Sequence, residues 1–114
     1  MKLEFSIPAL TKNCNESLIL AILAQERKHG YQIALEIEQK SRGQFKFNHG
    51  TLYPILHKME KEKKIKGVWK QEGPKRQRKY YSLTISGKKA LEYQKAEWRK
   101  FHNHLFKIFG ETEK

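Results

Sequence analysis

Residues 48–63, Asn48-His49-Gly50-Thr51-Leu52-Tyr53-Pro54-Ile55-Leu56-His57-Lys58-Met59-Glu60-Lys61-Glu62-Lys63, form the stretch on which the reading turns. Asn48 suits a helix N-cap, because its short amide side chain can accept from a free amide of the first turn. From there Leu52, Ile55, Leu56 and Met59 recur at helical spacing and make one apolar face that runs to about Lys63. His49, Thr51, Tyr53, His57, Lys58 and Lys61 are left for the outer face. Pro54 conflicts with this helix. If Asn48 is the cap, the proline lies beyond the first turn and forfeits a bond to the Gly50 carbonyl; a start nearer Thr51 places it where proline is tolerated. An early helix with a slight kink, or a first turn that is not ideal, reconciles the two.

Downstream, residues 65–70 (IKGVWK) and 78–83 (RKYYSL) are β-prone and flank QEGPKRQ, whose Gly73-Pro74 marks a turn. They read as an antiparallel hairpin carrying Lys75, Arg76, Arg78 and Lys79 at or near its tip. Four cations at one tight turn repel one another unless an anion is near. Upstream, Phe45-Lys46-Phe47 alternates like a very short strand that would put both rings in the core. Before it, His29 or Gly30 opens a helix to about Ser41, with Tyr31 near its start, Ile33, Ala34 and Ile37 inward, and Gly43 ending the unit. An earlier helix is expected from a capping box of Asn13 and Glu16 (Asn15 and Ser17 being rival caps) to about Glu26, with Leu18, Ile19, Ile22 and Leu23 on one face. Residues 27–30 (RKHG) break it. Residues 1–12, punctuated by Pro8, read either as an arm that packs on a partner subunit or as a frayed end.

Thr84 caps a last helix to about Phe109. Along it Leu91, Gln94, Trp98, Phe101, Leu105 and Ile108 follow one another at intervals of three and four, a coiled-coil-like seam with one polar member. About 25 residues of helix span roughly 38 Å, and Tyr93, Phe106 and Phe109 add apolar surface. The seam reads as a homodimer surface; the alternative is a helix lying across its own domain. The expected fold is therefore mainly α with a small β hairpin: a winged helix-turn-helix in residues 1–83, then a C-terminal dimerisation helix and tail in residues 84–114.

Charge sharpens this. The 114 residues carry a net charge of +12, and residues 43–83, with 11 basic and 3 acidic side chains, hold +8 of it. A basic helix fits the major groove of double-stranded DNA, where its N-terminal residues approach base edges. Asn48, His49, Thr51, Tyr53, His57, Lys58 and Lys61 are the candidates for that role. Lys61, with Lys63, Lys64 and Lys66, lies farther along and suits backbone contacts. Lys75, Arg76, Arg78 and Lys79 would enter or straddle the minor groove. A dimer would present two such helices to an approximately palindromic operator. The alternative is a winged helix that binds protein without specific DNA readout, a role in which the wing cations could be neutralised without loss.

Other classes find little support. The longest hydrophobic run, residues 18–24 (LILAILA), is far short of a bilayer span, and no signal-like segment opens the chain, so a cytoplasmic protein is expected. Cys14 is the single cysteine and Asp is absent, which leaves no disulfide, zinc-finger spacing or His–Asp pair. His102 and His104 point about 200° apart on a helix and make poor joint ligands. His49 and His57 have no nearby Cys or Asp. No metal, no cofactor and no enzymatic activity are expected.

The motifs LILAIL at 18–23, HGYQI at 29–33, GTLYPILHKME at 50–60, KYYSLTISGKKAL at 79–91 and YQKAEWRKF at 93–101 together resemble the PadR-type transcriptional regulators over residues 15–109. The single terminal helix is similar to the shorter of the family's two subclasses. The resemblance implies a winged helix-turn-helix, a homodimer made through the terminal helix, and repression of nearby genes relieved by a small-molecule or stress signal. Tyr53 falls on the family's YP pair and Tyr31 on the tyrosine of HGY, as framework and DNA-contact residues; Tyr80, Tyr81, Leu83, Thr84 and Gly87 fall on the wing-to-helix motif as architecture. Some members sense aromatic compounds in a cavity at the dimer centre. Trp98 falls on the tryptophan of the terminal-helix motif, which leaves two readings for it and for Phe101: a surface that stacks on a planar effector, or packing. Two features depart from the pattern. Where the family closes its recognition helix with Gly and a hydrophobic pair, this chain has Lys63-Lys64 before Ile65, and its N-terminal extension with Pro8 is untypical.

Overall fold

The apolar positions of three helices and a hairpin converge on one core. The computed structural model describes residues 7–111, with side chains from residue 13 onward. In order these form α1 (Ile7–Leu23), β1 (Lys28–His29), α2 (Gly30–Lys40), α3 (His49–Lys61), β2 (Ile65–Gln71), β3 (Gln77–Leu83) and α4 (Ile85–Phe109). Ile19, Leu20, Ile22 and Leu23 of α1, Ile33 and Ile37 of α2, and Leu52, Leu56 and Met59 of α3 are buried together, closed from the hairpin side by Ile65 and Tyr81 and by Leu91 of α4. Burial of each such side chain contributes about 1.5–3 kcal/mol. The cluster crosses Thr84, so α4 completes the core of the helix-turn-helix rather than hanging from it.

The sheet order is β1-β3-β2, antiparallel throughout, with Ile65 opposite Leu83, Gln71 opposite Gln77, and Lys28 and His29 opposite Tyr81 and Tyr80. Residues 27–30, expected only as a break, thus supply a two-residue strand. That pairing occupies the free edge of β3, and Phe45-Lys46-Phe47 forms no strand. Phe47 packs partly against the core while Phe45 stays about half exposed, so only one of the two rings expected inside is there.

Two helix boundaries also differ from expectation. α1 begins at Ile7 rather than Asn13, with Pro8 in the first turn, where its missing N–H costs nothing; it ends at Leu23, short of Glu26. Residues 1–6, part of the expected arm, lie outside the described residues. α3 runs unbroken across Pro54 and stops at Lys61 instead of Lys63. Its exit is a Schellman turn: the Lys63 amide donates to the Glu60 carbonyl at 3.0 Å and the Lys64 amide to the Met59 carbonyl at 3.0 Å. Lys63 takes the left-handed conformation, φ 62°, at the helix exit, a position that favours glycine.

Candidate nucleic-acid interface

The cap of α3 forms as expected: Asn48 Oδ1 accepts from the Thr51 amide at 2.8 Å. His49 and Tyr53, four residues apart, then stack with ring centroids 5.8 Å apart, and Tyr31 of α2 stacks on His49 at 6.4 Å. The row continues to His29, whose ring lies 6.5 Å from that of Tyr31. Gly30 is what lets the Tyr53 ring lie so close to α2, since a Cβ there would fall 2.6 Å from the Tyr53 hydroxyl oxygen. This aromatic row floors a cleft of about 570 Å³ whose far wall is the hairpin, with Arg76, Arg78 and Lys79 facing it. Tyr81 lies in its depth; burial first, then the nearby Glu60 carboxylate and Tyr53, push its phenol up to about 12.

Of the residues singled out in the sequence, Tyr31, His49, Tyr53, His57, Arg76, Arg78 and Lys79 line this one cleft. Asn48, Thr51, Lys58 and Lys61 are exposed on α3, and Lys75 is exposed at the hairpin tip. Two of the four wing cations are not free. Lys79 Nζ pairs with Glu60 Oε1 of α3 at 2.7 Å and lies 5.9 Å from the Trp69 ring centroid. Arg78 meets Glu72 at 3.8 Å and brings Nη1 to 2.7 Å from His29 Nε2. The repulsion expected at the turn is therefore partly neutralised inside the chain, and Lys75 and Arg76 are the cations the tip presents.

His29 is the residue that the list of candidate contacts missed. It is buried (8% exposed), pairs through its backbone with β3, and stands at the N-cap of α2, its amide donating to Gln32 Oε1 at 3.3 Å and its Nδ1 lying 3.4 Å from the Gln32 amide. Burial first, and then Arg78 with a smaller contribution from Arg76, hold its imidazole below the ordinary histidine range against the opposing pull of Glu72. The available signal was Gln32 three positions on, the spacing of a capping box. Behind the cleft, Lys28 is buried and held by Glu36 at 2.9 Å and Glu26 at 3.2 Å. Its hydrogen bond with Glu36 chiefly keeps Lys28 charged and Glu36 below the usual carboxylate range.

Along α4 the seam divides. Leu91 and Gln94 are buried within the protomer, and Ser17 of α1 donates to Gln94 Oε1. Trp98, Phe101 and Leu105 are half-buried, Trp98 meeting Phe101 edge-on at 5.9 Å, while Ile108 is 82% exposed. An apolar groove of about 520 Å³ between α1 and α4 is lined by Cys14, Leu18, Leu91 and Trp98, with His102 at its border; Phe101 is not part of its lining. No described helix is long and apolar enough to cross a membrane.

Three helices with a basic hairpin beside the third define a winged helix-turn-helix DNA-binding protein of the transcription-regulating class. The chain belongs to the PadR-like family of transcriptional regulators, whose sequence profile matches residues 19–93. Family membership makes it a regulator and not an enzyme. It is similar to a PadR family transcription regulator of Clostridium difficile, with 37% identity and a TM-score of 0.69 over 82% of this chain and 95% of that one. A PadR-like regulator of Bacillus cereus is 30% identical, with a TM-score of 0.74 over 89% and 96%. Bacillus subtilis PadR, solved in complex with operator DNA, is 29% identical with a TM-score of 0.65 over 69% of this chain and 44% of that longer one.

Proposed function

We propose that the chain acts as a homodimeric repressor that binds an approximately palindromic operator through α3 and the wing, with residues 1–83 as the DNA-binding unit and residues 84–114 as the dimerisation unit. The observation that carries this is the single cleft in which the α3 side chains and the wing cations face one space. α3 would lie in the major groove, with Asn48, His49, Thr51, Tyr53 and His57 toward base edges and Lys58 and Lys61 toward backbone. Lys75 and Arg76 would reach the minor groove, while Lys79 holds the wing against α3 and Arg78, held by Glu72 and His29, faces the cleft. Tyr31 supports His49 from α2. The relation to a regulator solved in complex with operator DNA supports DNA as the partner.

For the dimer, the supporting observation is the apolar surface that α4 leaves uncovered: Tyr93, Ile108 and Phe109 are exposed, and Trp98, Phe101 and Leu105 are only half-covered. Leu91 and Gln94 would then set the base of the seam from inside the protomer. The groove beside Trp98 is where an aromatic effector would act, with Phe101 supporting the indole edge-on. Selection of bound fragments from random DNA by the purified protein tests the reading. Enrichment of a two-fold motif supports it; uniform retention would leave only charge-driven binding. Lys75→Ala with Arg76→Ala should lower the slope of log affinity against log salt by about 2, and an unchanged slope would remove the wing from the interface.

A further inference from the structure

His29 receives two donors and has one lone pair to offer. Its Nδ1 faces the Gln32 amide at 3.4 Å, as the cap of α2, and its Nε2 faces Arg78 Nη1 at 2.7 Å. The guanidinium cannot give up its proton, and a neutral imidazole accepts at only one nitrogen. Burial and the facing cation favour that neutral form. The shorter contact wins the lone pair, so the proton sits on Nδ1 and points at the Gln32 amide. The cap of α2 is then only half made: the His29 amide donates to Gln32 Oε1 at 3.3 Å, and the return bond is lost.

We propose that the His29–Arg78 pair closes on one backbone phosphate of bound DNA, and that the phosphate's arrival moves the imidazole proton from Nδ1 to Nε2. The inference rests on the DNA-binding reading. If α3 lies in the major groove and the wing in the minor groove, the strand between the two grooves must cross the cleft that separates them, and His29 and Arg78 line it. Arg78 has five N–H groups, so it keeps Glu72 through Nε while Nη1 turns to a phosphate oxygen. Nε2, relieved of its donor, takes the proton and donates to the same phosphate. Nδ1 gives up its proton by exchange with water, so none is gained or lost overall, and it now accepts from the Gln32 amide. Phosphate binding thereby completes the cap that α2 lacks in the free chain. The other groups around the ring are Tyr31, Tyr80, Arg76 and Glu72, and the Glu72 carboxylate is already engaged, by Arg78 Nε at 3.8 Å and by the Tyr80 hydroxyl at 3.2 Å.

The tautomer is directly readable. Long-range proton–nitrogen correlation spectra of uniformly labelled protein, with His29 assigned from a His29→Asn variant, should show Nδ1–H in the free protein and Nε2–H on its selected DNA. His29→Asn should melt like the parent, because Asn caps well, yet bind that DNA about tenfold more weakly. Nδ1–H retained on DNA, Nε2–H already present in the free protein, a ring protonated at both nitrogens on DNA, or undiminished affinity in His29→Asn overturns the inference. In each of these cases parent binding persists and the DNA-binding reading survives. Failure of the parent to bind any selected fragment overturns both.

Discussion

Gly87 sits in the first turn of α4 where that helix passes the end of α3, and replacing it with alanine should be disproportionately costly. A Cβ there would fall 2.0 Å from the Lys64 carbonyl oxygen and 3.0 Å from its carbon, roughly 1 Å or more inside the van der Waals wall. The obstacle is backbone, so no side chain can rotate away. The same carbonyl accepts from the Thr84 amide at 3.2 Å and from Thr84 Oγ1 at 3.0 Å, and Thr84 Oγ1 in turn caps Gly87 at 3.0 Å. Relieving the clash separates α4 from the α3–wing junction and weakens those bonds. Overpacking costs about 1–3 kcal/mol, the lost bonds about 1 kcal/mol each, and alanine returns about 1 kcal/mol of helix propensity. The net is a loss of about 2–4 kcal/mol, or roughly 10–25 °C in Tm for a domain of this size. Thermal and urea melts followed by circular dichroism measure it. Gly50→Ala serves as the control, because its Cβ would meet only Asn48 Oδ1 at 3.4 Å, and it should melt within about 1 kcal/mol of the parent. If Gly87→Ala were as stable as Gly50→Ala, the close approach of α4 to Lys64 would be refuted.

Lys63→Gly should raise stability by about 0.5–1 kcal/mol, since glycine enters the left-handed conformation without the Cβ penalty that Lys63 carries there; a lower urea midpoint would contradict this. Gly30→Ala should displace the Tyr53 ring from its stack on His49 and weaken operator binding about tenfold while shifting stability by less than about 1 kcal/mol; band shifts and melts separate the two effects. Because His29 is held below the histidine range in the folded chain, the unfolded chain binds its proton first. The contribution of neutral His29 is thus complete above about pH 6.5 and is lost as pH falls from there toward the lower folded value. Urea midpoints should decline over that interval, and less steeply in His29→Asn; parallel curves would exclude the imidazole as the cause.

What could be read in the sequence was whatever local chemistry decides. Asn48 caps α3, Thr84 caps α4, and the apolar positions from Leu52 to Met59 face the core, because spacing and capping act within a few residues. Pairing across the fold was hidden. Lys28–His29 is a strand only because β3, some fifty residues on, offers an edge, and that same edge is what Phe45-Lys46-Phe47 would have needed. The start of α1 was misplaced for a related reason: Asn13 and Asn15 look like caps, yet Pro8 also fits a first turn, and the longer helix packs along α4. The candidate contacts on α3 were legible as its outer face. The pairing of Lys79 with Glu60 and of Arg78 with His29 was not, since the charge total is blind to partners 19 and 49 positions away.

One such hidden partnership lies between the proposed DNA face and the proposed effector groove. Lys64 bonds to α4 through its carbonyl and to α1 through its ammonium, which meets Glu16 at 2.8 Å and Glu62 at 3.3 Å. Burial pulls that ammonium down, yet the bonds to Glu16 and Glu62 outweigh it and hold Lys64 above the ordinary lysine value. The next residue of α1, Ser17, holds Gln94 beside the Trp98 groove. On the proposed reading, a shift of α1 against α4 would be felt at the exit of α3 and the root of the wing through these adjacent side chains. A double-mutant cycle of Glu16→Gln and Lys64→Met should give a coupling of about 1 kcal/mol in stability, set by a half-buried pair. Each single variant should also weaken operator binding, since the wing root loses its tie. Additive stabilities, or operator affinity untouched by both variants, would mean that α1 and the wing move independently and that the groove has no route to the DNA face through Lys64.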